Sequence, residues 1–143
     1  MRWIGIVALV VAAQASADVF TVGSGAQCTH ASVQEAIAAA SQNGAGLDVI
    51  NVARNRTYSA QSLNVQDSDL VIQGGYADCG SALGDPANPT VLSGSGGSAA
   101  PVMRVQGSGN VMLRNLVLSD GDHTGDGGGL AVVDGPHMIT LQN

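Results

Sequence analysis

Val111-Met112-Leu113-Arg114-Asn115 returns 28 positions later as Ile139-Thr140-Leu141-Gln142-Asn143. Apolar residues fall at the same alternate places, and Asn closes both units. Strand-like alternation at a fixed period is the mark of a stacked β architecture. The chain ends on the last Asn of such a unit, which suggests an N-terminal fragment of a longer array.

The pattern extends upstream. Leu63 and Val65 match Met103 and Val105 at an offset of 40, and these match Ala131 and Val133 at 28. Leu70 and Ile72 match Val111 and Leu113 at 41, and then Ile139 and Leu141 at 28. An insertion across residues 79–89 accounts for the longer first offset. Three short strands per turn of a coil fit these offsets better than a hairpin sandwich. The one Asp-Gly pair near hairpin register, Asp134-Gly135, is followed by Pro136. Like would then stack on like about 4.7–4.9 Å apart. Asn115 over Asn143 would form an internal amide ladder, although two unrelated turn asparagines would leave the same trace. Leu113-x-x-Leu116-x-Leu118 matches a leucine-rich repeat only once, with no recurring helical half.

One helix precedes these strands. Ser32-Val33-Gln34-Glu35 reads as a capping box, and Val33, Ala36, Ile37 and Ala40 share one face. Asn43-Gly44 supplies the stop, so the helix is expected over about residues 32–43. Placed before the strands, an amphipathic helix can cover the open end of a stack.

The first 17 residues read as an export signal: Arg2, an apolar run over residues 3–13 too short to span a bilayer, then Ala15-Ser16-Ala17. Cleavage there leaves Asp18 at the mature N-terminus. The expected domains are a signal over residues 1–17, a cap over 18–46 and stacked strands over 47–143. The mature chain carries eleven acids against four arginines and no lysine, a net charge of −7 with His neutral. Such a surface repels phosphate backbones, so nucleic acid is not an expected partner.

Cys28 and Cys79 in an exported chain are read by default as a disulfide. Closing that loop is worth roughly 3–5 kcal/mol in the chain-entropy model. Free buried thiols, or a reactive Cys28 beside His30, are the alternatives.

The leading signal, the Cys28 loop, the front helix, the Gly74-Gly75-Tyr76 turn with Cys79 and the strand pair Asn110-Val111-Met112-Leu113-Arg114-Asn115-Leu116-Val117-Leu118 together resemble a known group. They are similar to the start of bacterial proteins with the pectin-lyase-like fold, including polymorphic outer membrane and autotransporter-like surface proteins. The resemblance implies an all-β, right-handed parallel β-helix, a solenoid behind an N-terminal amphipathic capping helix. Gly127-Gly128-Gly129-Leu130 looks like the Gly-Gly-apolar element of the polymorphic group. The companion Phe-x-x-Asn element is missing, since the only Phe is Phe20.

The one dense polar stretch is Ser119-Asp120-Gly121-Asp122-His123-Thr124-Gly125-Asp126. Asp120, Asp122 and Asp126 could hold a weak Ca²⁺ by relieving their mutual repulsion. The Glu that would complete an EF-hand loop is replaced by Ala131, and a solvated acidic turn explains the same residues. Beyond this no cofactor is implied and no catalytic residue is assigned. His30, His123 and His137 have no metal-ligand spacing. Arg104 and Arg114 read as solvent-facing alternates of their strands, and Asn55-Arg56-Thr57 is a glycosylation sequon.

Following the resemblance, the expected function is an exported module at the cell surface or secreted, in an adhesion, binding or structural role. Its partners would be a glycan, a host or matrix surface, further rungs of a longer chain, or another copy at the open end. The alternative is the N-terminal part of a polysaccharide lyase or hydrolase whose active site lies on rungs outside these residues.

Overall fold

The computed structural model describes residues 17–122, 127–135 and 137–143. The first strand, β1 (Val19–Val22), is a β-branched and aromatic run. Helix α1 (Val33–Gln42) follows, with both capping-box bonds made. Ser32 Oγ accepts from the Glu35 amide at 3.2 Å, and Glu35 Oε2 accepts from the Ser32 amide at 3.1 Å. The helix buries Val33, Ala36, Ile37 and Ala40.

Among the described residues, nine strands come after it. They are β2 (Asp48–Ala53), β3 (Leu63–Gln66), β4 (Leu70–Tyr76), β5 (Thr90–Ser93) and β6 (Met103–Gln106). The rest are β7 (Gly109–Arg114), β8 (Leu116–Ser119), β9 (Leu130–Val133) and β10 (His137–Gln142). All named pairings are parallel. A five-stranded sheet has the order β1-β2-β4-β7-β10, a three-stranded sheet β3-β6-β9 and a two-stranded sheet β5-β8.

This corrects the expected all-β solenoid. The fold is mixed, with 8% helix and 41% strand, and its strands form three small parallel sheets of 5, 3 and 2 strands. A uniform coil adds one strand to every sheet per turn, so its sheets grow equally. Here the two-stranded sheet is flanked only by an isolated bridge between Tyr58 and Leu92. The irregular segment before Tyr58 carries Arg54-Asn55-Arg56, all exposed, and does not pair as a strand. The apolar face of α1 belongs to the same buried cluster as Ile50, Leu70, Ile72, Leu92 and Met103.

The registers follow the sequence offsets with one exception. Leu63 pairs Met103, Leu70 pairs Val111, Ile72 pairs Leu113, and Val111 pairs Ile139. In the last strand of the three-stranded sheet, however, Met103 and Val105 pair Leu130 and Val132, one residue short of the expected Ala131 and Val133. A one-residue slip exchanges the faces of a strand. The observed register turns Leu130 onto the core and sets Ala131 beside Arg104.

Gly74-Gly75-Tyr76, expected as a turn, ends β4. The pairing with β2 shifts register there, and Gly75 takes φ +85°. A Cβ on Gly75 would strike the Asn115 amide and stand 2.6 Å from the Asp85 carbonyl oxygen. The disulfide Cys28–Cys79 is formed, with its Cα atoms 5.1 Å apart and a sequence separation of 51. It ties the loop after β1 to the turn after β4, and this bond fits an oxidising compartment. No helix among the described residues is long and apolar enough to cross a membrane.

Candidate binding surfaces

Strand alternation gives the five-stranded sheet one face for the core and one outward face. Outward side chains line up across the strands because the registers align. One row runs Val19, Val49, Val71, Met112 and Thr140. The neighbouring row runs Thr21, Asn51, Gln73, Arg114 and Gln142. The first row borders a groove of about 320 Å³ whose walls include Leu47, Asp69, Met112 and Met138. Leu47 and Met138 are half or more exposed there, at 50% and 61%.

The second row is pre-set by hydrogen bonds. Gln73 Nε2 donates to Asn51 Oδ1 at 2.8 Å and to Tyr76 Oη at 2.7 Å. Burial pushes the Tyr76 phenol up, partly countered by the Arg114 charge. The chemistry of the face is thus an apolar stripe beside a linear array of amides, hydroxyls and one guanidinium.

The acidic positions have structural partners. Asp120 Oδ2 accepts from Ser93 Oγ at 2.8 Å and from Ser119 Oγ at 2.9 Å, which lowers its pKa. Asp122 is exposed and donates its amide to the Ala100 carbonyl at 3.1 Å. Asp126 and His123 lie outside the described residues. Among the described residues no three His, Cys, Asp or Glu side chains converge as a metal set. Asp67 and Asp69 reach the residues that the 41-residue offset sets over them. Asp67 Oδ1 accepts from the Ser108 amide at 2.8 Å, and Asp69 Oδ1 from the Asn110 amide at 2.7 Å. The Ser108 amide and hydroxyl hold Asp67 below the usual carboxylate range.

Asn115 sits at φ +52° and spends its side-chain donors on the carbonyls of Gly74, at 3.2 Å, and Asp85, at 2.8 Å. Its amide therefore stitches the β7–β8 bend to the insertion after β4, while its backbone N–H donates to the Gln142 carbonyl at 2.8 Å. Asn143 is exposed at the end of the chain. Cys28 is committed to the disulfide, so it makes no nucleophile with His30. The His30 ring packs edge-on against Phe20 at 5.5 Å. In the sequon, Asn55 accepts from the Ser24 amide at 3.0 Å and donates to the Ser24 carbonyl at 2.8 Å.

Sequence reasoning placed Arg114 on an outward face. It missed the row that contains Arg114, for which the signal was polar residues recurring at the apolar offsets. No family model, curated protein or solved structure matches this chain, and the resemblance to pectin-lyase-like surface proteins rests on its motifs alone.

Proposed function

We propose that this is an exported binding module, secreted or presented at the cell surface, that holds an extended glycan across the outward face of the five-stranded sheet. The observation that carries the reading is the row Thr21, Asn51, Gln73, Arg114 and Gln142. Five strands about 4.8 Å apart make this row about 19 Å long. A linear polymer can meet such an array with one polar group per strand, while the neighbouring groove walled by Leu47, Met112 and Met138 takes the apolar face of a sugar ring. The Asn51–Gln73–Tyr76 bonds hold the donors and acceptors in place before a ligand arrives, which lowers the entropy cost of binding. Export is supported by the leader-like residues 1–17 and by the disulfide.

The test uses the oxidised, processed protein against a panel of neutral linear oligosaccharides and immobilised matrix proteins. Binding to an oligosaccharide that falls at least about tenfold in Gln73→Ala supports the reading. Absence of glycan binding at millimolar concentration, or binding indifferent to Asn51→Ala and Gln73→Ala together, sinks it. N-terminal sequencing of exported material is expected to begin at Asp18.

A further inference from the structure

Around the corner from that face, the chain places two of its few cations on one depression. A groove of about 260 Å³ is lined by Arg54, Arg56, Thr57, Tyr58, Val91 and Ser93, among others. It lies over the start of the two-stranded sheet, and its residues come from segments more than thirty positions apart.

Arg56 is held from two sides. Its Nη1 donates to the Ala31 carbonyl, and its Cζ lies 5.7 Å from the centroid of the Tyr58 ring. That ring is itself fixed. Tyr58 is buried, its hydroxyl donates to the Ala53 carbonyl at 2.7 Å, and the Val22 carbonyl oxygen is 3.2 Å away. A guanidinium carries five N–H donors in a planar fork, more than these contacts consume. Arg54 stands on the same groove. Its charge contributes to holding the Asp85 carboxyl below the usual range, after that carboxyl's bonds to Asn88 and Ala87. Thr57 brings a hydroxyl to the rim, and Val91, 48% exposed, brings an apolar wall.

We infer that this groove binds the anionic group of an acidic sugar, its oxyanion received by Arg54 and Arg56 and its ring laid against Val91 and Thr57. An oxyanion that offers two acceptor oxygens is the partner that guanidinium forks select most strongly. Hydroxyl and apolar neighbours in a depression of this size match one sugar unit. The whole chain carries −6, so it repels long polyanions, and the attraction is confined to this local pair of cations. The site goes beyond the sheet-face reading and does not depend on it.

Calorimetric titration of the oxidised full chain tests the inference with three probes: a glucuronate-containing disaccharide, a sulfated but otherwise neutral disaccharide, and the first with its carboxyl reduced to an alcohol. One or both acidic probes are expected to bind, telling carboxylate from sulfate, and the reduced probe to bind at least about tenfold more weakly. Arg54→Gln and Arg56→Gln are each expected to weaken the acidic probe about tenfold or more, and Arg56→Lys, which keeps charge but loses the fork, to weaken it less. Arg104→Gln removes an equal charge from the three-stranded sheet and is expected to change nothing, with thermal melts confirming that each variant is folded. Equal binding of the reduced probe, an equal loss in Arg104→Gln, or no acidic-probe binding at millimolar concentration overturns the inference. Gln73→Ala, which tests the sheet-face reading, is expected to leave acidic-probe binding intact, and a matching loss there would also overturn a separate site.

Discussion

The two ends of the stacked strands are finished differently. At the front, each exposed backbone edge finds a partner from a loop or a side chain. β1 is met by residues 29 and 30, whose amides donate to the Thr21 carbonyl at 3.1 and 3.0 Å. β3 is met by Gln34 of the helix. Its side-chain amide accepts from the Asn64 N–H at 2.8 Å and donates to the Asn64 carbonyl at 3.3 Å, copying a ladder with one side chain. The apolar end of the core lies under α1. At the back, β8, β9 and β10 carry no further strand among the described residues. Val132 and Leu141 are 49% and 66% exposed, and a slot of about 260 Å³ opens between Leu113, Leu116, Leu118, Leu130 and Leu141. The contrast shows what closing a sheet requires: partners for backbone groups as well as cover for apolar side chains.

Removing the disulfide tests the front most severely. Cys28→Ser with Cys79→Ser is expected to lower unfolding free energy by roughly 3–5 kcal/mol, read from the denaturant midpoint. A midpoint that does not move would mean that the front closes without its staple. Ile50→Ala, at a fully buried position near the front, is expected to cost about 2–5 kcal/mol. Leu141→Ala, the corresponding core-row position in the last strand, should stay within about 0.5 kcal/mol. Similar losses at both would erase the contrast.

Smaller effects sharpen it. Gln34→Ala leaves the Asn64 backbone unpaired and is expected to cost about 1 kcal/mol, with faster hydrogen exchange confined to β3. Ser32→Ala removes the cap and is expected to cost about 1 kcal/mol as well. The Tyr58 phenol is pushed up to about 12 by burial, against a coulombic pull from Arg56. Its folded value lies above the unfolded 10.0, so the stability it contributes is complete below pH 10 and is lost as pH rises toward 12. An alkaline titration of tyrosinate absorbance alongside a stability curve checks this, and Tyr58→Phe should flatten that pH dependence. Asp67 has the opposite sign. Its lowered pKa gives stability that is present above the ordinary carboxylate range and lost on acidification, an effect expected to vanish in Asp67→Asn.

Much of this organisation was written in local pattern. The capping box located α1, and the alternation of Leu70-Val71-Ile72 against Val111-Met112-Leu113 gave both strand and register. What escaped depends on contacts that no single segment encodes. β1 was hidden beside the apolar run of residues 3–13, although Val19-Phe20-Thr21-Val22 is a good strand sequence. The slip in β9 pairs Leu130 with Met103 and packs Leu130 against the core cluster, a choice that alternation alone leaves ambiguous when both neighbours are apolar. The unequal sheets arise where the charged turn at residues 54–56 fails to pair, and offsets between matching strands do not report a strand that never forms. Of the candidate surfaces, Arg114 was legible as an outward residue. The Arg54–Arg56 groove was not, because its far wall comes from β5 across an insertion that has no period.

The disulfide also divides the chain by length. Helix α1 and strands β2, β3 and β4 lie between Cys28 and Cys79, and β1 and β5 to β10 lie outside that ring. Tension applied at the two termini would pass through the sulfur bridge and leave the loop between the cysteines, a sequence separation of 51, slack. At roughly 3.3–3.6 Å per residue, about 170–180 Å of chain would stay hidden from a pulling force until the bridge is reduced. The segment inside the bridge is thus shielded from load, while β1 and β5 to β10 bear it directly.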